Sequence, residues 1–233
     1  MSDEIAASLA RVRERIAAAA TRVGRLPSEI TLVAVTKMRQ PAEIVAAYEA
    51  GVRHLGENRV QEAAEKRPQL GLPGVSWHMV GHLQSRKAKR AIDLFDIVHS
   101  VDSVKLARKL DGLAADRARV LPILLEVNVS DEDAKYGFPL PDREALDAAV
   151  AEIVVFPHLR VEGLMTVAFI TQDPEEVRPV FARLRTLCDE FRVRFRQGGW
   201  QHLSMGMTDD YEVAIEEGAT MVRIGRAIFG ARA

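Results

Sequence analysis

The sequence predicts an α/β protein: a (β/α)8 barrel in one domain over residues 1–233, preceded by an additional N-terminal helix. Three observations carry this expectation. Eight short β-rich runs alternate with longer helical patterns. Many of those runs are continuously apolar rather than alternating, as parallel strands buried on both faces require. No linker, low-complexity segment or shift in composition interrupts the alternation. An open, doubly wound sheet satisfies the same periodicity, which does not report closure.

The elements follow in order. An amphipathic helix runs from Ile5 to Val23. The first strand is TLVAVT at 31–36, and PAEIVAAYEAG then starts a helix at Pro41 and stops it at Gly51. Strands two to five are VRHLG (52–56), VSWHMVG (75–81), DIVHSV (96–101) and LPILLEVNV (121–129). The loop SDEDAKYGFPLP (130–141) is the longest irregular stretch. RVEGLMTV (160–167) is the sixth strand. In the next helix Val177, Val180, Phe181, Leu184, Leu187, Cys188 and Phe191 fall on one face. QHLSMG (201–206) and MVRIG (221–225) complete the set. Between them DDYEVAIEEG has acidic residues in its first turn and Gly218 at its end.

Composition narrows the function. Lysine and arginine number 32 against 33 aspartates and glutamates, a net charge of -1, so nothing draws the chain to nucleic acid or an anionic membrane. The densest basic run, RKAKR at 86–90, reads as a solvated helix face. No apolar run approaches the ~18 residues of a membrane span, and the acidic, amphipathic start is unlike a signal peptide. The single cysteine, Cys188, rules out an intrachain disulfide and suits a reducing, cytoplasmic setting. Its place in a helical apolar stripe makes it a core residue.

In such a barrel chemistry gathers at the C-terminal strand ends, with phosphate often held after strands seven and eight. Lys37 ends the first strand. Partial burial there lowers a lysine's pKa and frees the amine to form a Schiff base with a carbonyl. At the seventh strand end, LSMGMT offers hydroxyls on Ser204 and Thr208 and close backbone approach at Gly206. A helix start follows, and its N–H groups suit an anion. At the eighth, RIGRA places Gly225 and Arg226 beside them. These two strand ends make a phosphate cup. A carbonyl-seeking lysine and a phosphate cup suggest a phosphorylated sugar, as in an aldolase, or pyridoxal 5′-phosphate (PLP). Arg223 bears on the choice, because a PLP protein must place some group at the pyridine nitrogen. An ion pair is the simpler account of Arg223 taken alone.

The blocks AVTK, HLGENRVQEA, WHMVGHLQSRKAK, KYG, GLMTV, LSMGMTDDYEVAI and VRIGRAIFG resemble the pyridoxal phosphate homeostasis proteins, single-domain relatives of the alanine racemase barrel. The resemblance runs from about residue 31 to 230. It implies a barrel holding PLP as an internal aldimine, with Lys37 the Schiff-base lysine and Asn58 near the cofactor. Ser204, Gly225 and Arg226 match phosphate-binding positions, and Arg223 the arginine facing the pyridine nitrogen. Met165 and His82 match pocket-lining positions. Met38 and Arg86 depart from the family pattern away from these contacts.

The resemblance also implies a role in buffering or delivering PLP, with PLP-requiring apo-enzymes as recipients and a monomer as the unit. The alternative is an amino-acid racemase, which needs two bases on opposite faces of the substrate carbon. Related racemases carry a second, β-rich domain and draw the second base from a partner subunit. Few residues follow the eighth strand here, so the barrel itself would have to supply that base, and His82 and Tyr136 are the residues at hand. Because Arg223 cannot leave a proton on the pyridine nitrogen, it makes the ring a weaker electron sink, which is compatible with storage but does not forbid a racemase, whose ring partner is also an arginine. Lys135 is a candidate secondary acceptor for PLP.

Overall fold

Eight parallel strands close into a barrel in the computed structural model, which describes residues 2–130 and 136–231. The first half runs α1 (Ser2–Arg22), β1 (Thr31–Val35), α2 (Pro41–Glu49), β2 (His54–Glu57), α3 (Val60–Leu70), β3 (Ser76–Met79), α4 (Ala88–Leu94), β4 (Ile97–Val101) and α5 (Val104–Ala115). The second half runs β5 (Leu121–Asn128), β6 (Phe138–Pro139), α6 (Arg143–Ile153), β7 (Leu159–Met165), α7 (Arg178–Arg194), β8 (His202–Ser204), α8 (Tyr211–Glu216), β9 (Met221–Ile224) and α9 (Arg226–Phe229).

Closure comes from two seams. β4 pairs with β5 through Val98↔Ile123, and β1 pairs with β9 from Thr31↔Met221 to Ala34↔Ile224. The periodicity left closure open, and these pairings decide for the barrel. β6 is an addition, pairing parallel to the end of β5 through Val127↔Phe138 and Asn128↔Pro139. The loop expected to be irregular over 130–141 therefore contributes a short strand. Residues 131–135, and with them Lys135, lie outside the described residues.

Strand boundaries differ from the sequence runs by at most two residues, mostly where the run is longer than the ladder. The third run, 75–81, pairs only over Ser76–Met79. Its trailing residues instead form the turn that carries Gly81 and His82. The first helix begins at Ser2 rather than Ile5, and buries Ile5, Leu9, Val12, Ile16, Ala19 and Ala20 on one face. It packs against α2, α8 and α9. Since α8 and α9 are short, α1 covers apolar surface around the β9–β1 seam. Arg15 and Arg22 fasten it to Glu212 and Glu216 of α8.

Alternation divides the core into two layers. Residues such as Leu55, Val98, Ile123, Leu125 and Val222 face outward into one continuous cluster with the helices. Phe181, Leu184, Leu187, Cys188 and Phe191 of α7 are buried in that layer, as the helical spacing predicts. Burial raises the Cys188 thiol to about 11, so it remains a protonated core residue. The lumen holds two small apolar groups: Val33, Val35 and Val80, and separately Ile97, Leu124, Met165 and Met221.

Candidate functional site

The C-terminal strand ends gather most of the residues singled out from the sequence. Lys37 lies half-buried in the turn after β1. That turn is clamped from β2 and α3. Glu57 is fully enclosed, and its Oε1 accepts from Thr36 Oγ1 at 2.7 Å and from Lys66 Nζ at 2.8 Å. Lys66 Nζ also donates to Thr36 O at 2.7 Å and Glu62 Oε2 at 3.2 Å. Glu62 Oε2 accepts from the backbone N–H of Met38 at 2.7 Å. Met38 holds φ +59°, so the residue after the lysine stands in the left-handed region, fixed by that bond. Burial pushes the Glu57 carboxyl up against the pull of Lys66, whereas at Glu62 burial is outweighed by the Met38 N–H and Lys66, and the pKa falls.

Arg223 enters the lumen from β9, in register with Val33 of β1. It is 4% exposed. Nη1 donates to Ser204 O and Ser204 Oγ, both at 2.7 Å, and Nη2 to Thr166 O at 2.8 Å. These are neutral acceptors, so the ion-pair account of this charge does not describe its direct contacts. Burial pulls the guanidinium down to about 10, with Glu126 and Asp210 opposing at longer range. It therefore remains a cation at neutral pH.

Ser204 is fully buried, with its hydroxyl held between Arg223 and His99 Nδ1 at 2.9 Å. The hydroxyl expected at the phosphate cup is thus turned inward, to the guanidinium. Gly206 has φ +91°, and a side chain there would meet Ala214 Cβ at 2.6 Å and Tyr211 Cα at 2.9 Å. Close approach does require glycine here, but the approaching group is α8 rather than open space for a ligand. The helix that follows begins at Tyr211 after the N-cap residue Asp210, whose Oδ1 accepts from Met207 N at 2.5 Å. Gly225 lies against the end of β1, where an added Cβ would sit 3.2 Å from Val35 O. Arg226 is exposed and pairs with Asp209, tying the ends of β8 and β9 together.

The remaining expected residues are more scattered. Asn58 is half-buried at the end of β2, so close to Gly81 that a side chain on the glycine would meet Asn58 O at 2.6 Å. His82 stacks on Tyr136 with ring centroids 3.7 Å apart and an interplanar angle of 9°. Its Nδ1 lies 3.0 Å from Asp102 Oδ2 but out of hydrogen-bonding alignment. Met165 is enclosed in the lumen with Ile97, Leu124 and Met221.

This geometry can be set beside known proteins. The family model described as alanine racemase, N-terminal domain, matches residues 7–233. The pyridoxal phosphate homeostasis protein of Escherichia coli K12 is 43% identical over 234 residues, covering 99% of this chain and 97% of that one. The chain belongs to the pyridoxal phosphate homeostasis protein family. PipY of Synechococcus elongatus, solved without PLP, superposes with a TM-score of 0.87 at 38% identity, over 97% of this chain and 100% of that one. PipY with PLP bound gives a TM-score of 0.86 at 37% identity with the same coverage.

Several residues of the lumen escaped the sequence reading. Glu126 projects from β5, 7% exposed, with Oε2 buried and without a partner among the described residues. Burial and the nearby Asp102 raise its carboxyl to about 7, Arg223 opposing. His78 and His99 lie deeper, fully enclosed. All three are polar residues inside apolar strand runs, the same anomaly that singles out Arg223, and that signal could have found them. Among the described residues no cluster of potential metal ligands occurs, and no helix is long and apolar enough to cross a membrane.

Proposed function

We propose that this protein binds PLP at the C-terminal mouth of the barrel and acts in PLP homeostasis, storing or delivering the cofactor rather than using it to turn over amino acids. The observation that carries the reading is the placement, on the two strands of the β1–β9 seam, of the half-buried Lys37 after the end of β1 and a buried guanidinium, Arg223, on β9, in a chain of this family. Bound PLP supplies an aldehyde that an amine can capture reversibly. Lys37 Nζ is the capturing amine, and the Glu57–Lys66–Glu62 clamp fixes the turn that presents it. Arg223 faces the pyridine nitrogen as a donor that keeps its own proton. Phosphate lies against the backbone of the β8 and β9 ends, around Gly206, Thr208, Gly225 and Arg226. Ser204 serves that site indirectly, by holding Arg223. Asn58, His82 and Met165 bound the pocket on the β2, β3 and β7 sides.

The orphaned Oε2 of Glu126 supports the fit, since a buried acceptor without a partner is what a polar ligand would satisfy. The working unit is a monomer in the cytoplasm, and PLP-requiring apo-enzymes are the recipients. Lys135 is a secondary acceptor in this reading. His82 and Tyr136, the two residues at hand for a second base, stack on each other at the mouth.

The test is one purification. The protein incubated with PLP should acquire a visible absorbance band that borohydride fixes to Lys37, and the Lys37→Ala variant should lack it. Neither form should change the optical rotation of an amino-acid solution. A wild-type protein that takes up no PLP overturns the reading, and steady loss of optical rotation restores the racemase.

A further inference from the structure

A line of hydrogen-bonded side chains leaves Arg223 and crosses the lumen toward the opposite end of the barrel. Arg223 Nη1 donates to Ser204 Oγ at 2.7 Å, and Ser204 Oγ lies 2.9 Å from His99 Nδ1. His99 Nε2 lies 2.9 Å from His78 Nδ1, and His78 Nε2 lies 3.0 Å from His54 Nδ1. The three rings come from β4, β3 and β2 and meet edge-on, with centroids 5.0 and 5.2 Å apart. His78 and His99 are enclosed, while His54, the first residue of β2, is half-buried at the base.

The two ends fix the direction of this line. A neutral imidazole has one donor nitrogen and one acceptor. The chain can therefore run in only two senses. In the first, Ser204 accepts from Arg223 and gives its hydroxyl proton to His99 Nδ1. His99 Nε2–H then donates to His78 Nδ1, and His78 Nε2–H to His54 Nδ1. In the second, Ser204 accepts from both neighbours, and its own proton, on a fully buried residue, needs another acceptor. The cation also favours the first sense, because every dipole then turns its negative end toward the guanidinium.

We propose that His54, His78 and His99 form a neutral, dipole-ordered relay that positions Arg223 through Ser204 and stabilises its buried charge without a contacting carboxylate. These are positioning residues, since none touches the reacting atoms. The relay answers a specific difficulty. A buried cation is costly unless its donors are satisfied and its field is opposed. Among the described residues Arg223 donates only to neutral oxygens. Glu126 and Asp210 act on it at longer range, and His202 on β8 is the other titratable ring near the line. Protonating His78 or His99 would remove an acceptor from the line and set a second positive charge near Arg223. Burial and neighbouring positive charges depress both rings, His78 to about 3.

The proposal rests on the reading of Arg223 as the pyridine partner only in its cofactor arm, so two measurements separate the claims. The first uses protein without cofactor, labelled with ¹⁵N at histidine, and long-range ¹H–¹⁵N spectra. His78 and His99 should be neutral, protonated on Nε2, and unchanged across the pH range where solvent-exposed histidine titrates. A proton on Nδ1 of His99, or titration of either ring in that range, overturns the relay. The second uses PLP labelled with ¹⁵N at the pyridine nitrogen. Its resonance should move in His99→Phe and in Arg223→Gln, and return to the wild-type position in His99→Gln, whose amide both accepts and donates. A shift in Arg223→Gln with none in His99→Phe overturns the relay and leaves the reading of Arg223 standing. No shift in either variant removes Arg223 from the ring, and the spectra of the cofactor-free protein then decide the relay alone. Should His99→Phe fail to fold, His54→Ala cuts the line at its half-buried end, and the His78 ring resonances should move.

Discussion

The layer between strands and helices and the lumen inside the strands are built from the same eight strands, yet they differ in kind. The outer layer is one continuous apolar cluster reaching from α1 to α9. The lumen has two small apolar groups with a polar seam of His54, His78, His99, Ser204 and Arg223 between them, and Glu126 near the mouth. Apolar burial supplies most of a fold's stability. Buried polar groups cost stability unless every one is satisfied. The comparison therefore assigns stability to the outer layer and function to the inner one, and each assignment can be broken by experiment.

The largest effect is expected in the outer layer. Phe181 on α7 is fully buried. Phe181→Ala should cost about 3–5 kcal/mol by lost transfer and a residual cavity. A denaturant titration measures it, and the PLP spectrum per folded molecule should be unchanged. A cost below about 1 kcal/mol would mean that α7 does not anchor the barrel.

The seam should show itself next, in acid. His78 is depressed from 6.5 to about 3, and His54, His99 and His202 are depressed in the same direction, in each case chiefly by burial. A lowered pKa means that the unfolded chain takes up the proton first. The stabilising contribution is full above 6.5 and is lost as pH falls toward the folded value. Each such ring adds about 1.4 kcal/mol per pH unit to the slope in that window. His78→Gln should flatten the stability profile below 6.5 by about one such increment. An unchanged slope would mean that His78 is not kept neutral by the fold.

Glu126 carries the opposite sign. Its carboxyl is raised from 4.5 to about 7. The folded protein therefore holds the proton longer than the unfolded chain, and stability falls as pH rises through that interval. Above about pH 8 the wild type pays for a buried carboxylate with an unpartnered oxygen, and Glu126→Gln should be more stable by about 1–3 kcal/mol. Near pH 4 the two should be equal within about 0.5 kcal/mol. A variant less stable at high pH would mean that the carboxylate is satisfied by Arg223 after all.

The same contrast explains what the sequence revealed. The outer layer follows a period, so the α7 stripe from Val177 to Phe191 and the apolar face of each strand could be read directly. Closure, the β4–β5 seam and the two-residue β6 could not, since pairing partners leave no local mark. The position of Lys37, Gly206, Gly225 and Arg226 at strand ends could be read from the strand runs, and strand ends are where this architecture gathers chemistry. The inward turn of Ser204 was not legible, because LSMG does not say which face of the strand meets the guanidinium. The histidine line draws on β2, β3 and β4, and its members are 24 and 21 residues apart in sequence. Only the barrel brings them together.

Arg226 gives the smallest expected effect and sharpens the comparison at the mouth, outside both layers. Its guanidinium is exposed and bonded to the equally exposed Asp209. Exposed pairs of this kind contribute about 0–1 kcal/mol. If phosphate is held by the backbone at the start of α9, Arg226→Ala should leave stability within about 0.5 kcal/mol. PLP affinity should fall no more than about tenfold, the effect of one screened charge. Titration of PLP at low and high salt is the measurement. A much larger loss, abolished by salt, would mean that the side chain swings from Asp209 to grip the phosphate, and that the backbone alone does not form the cup.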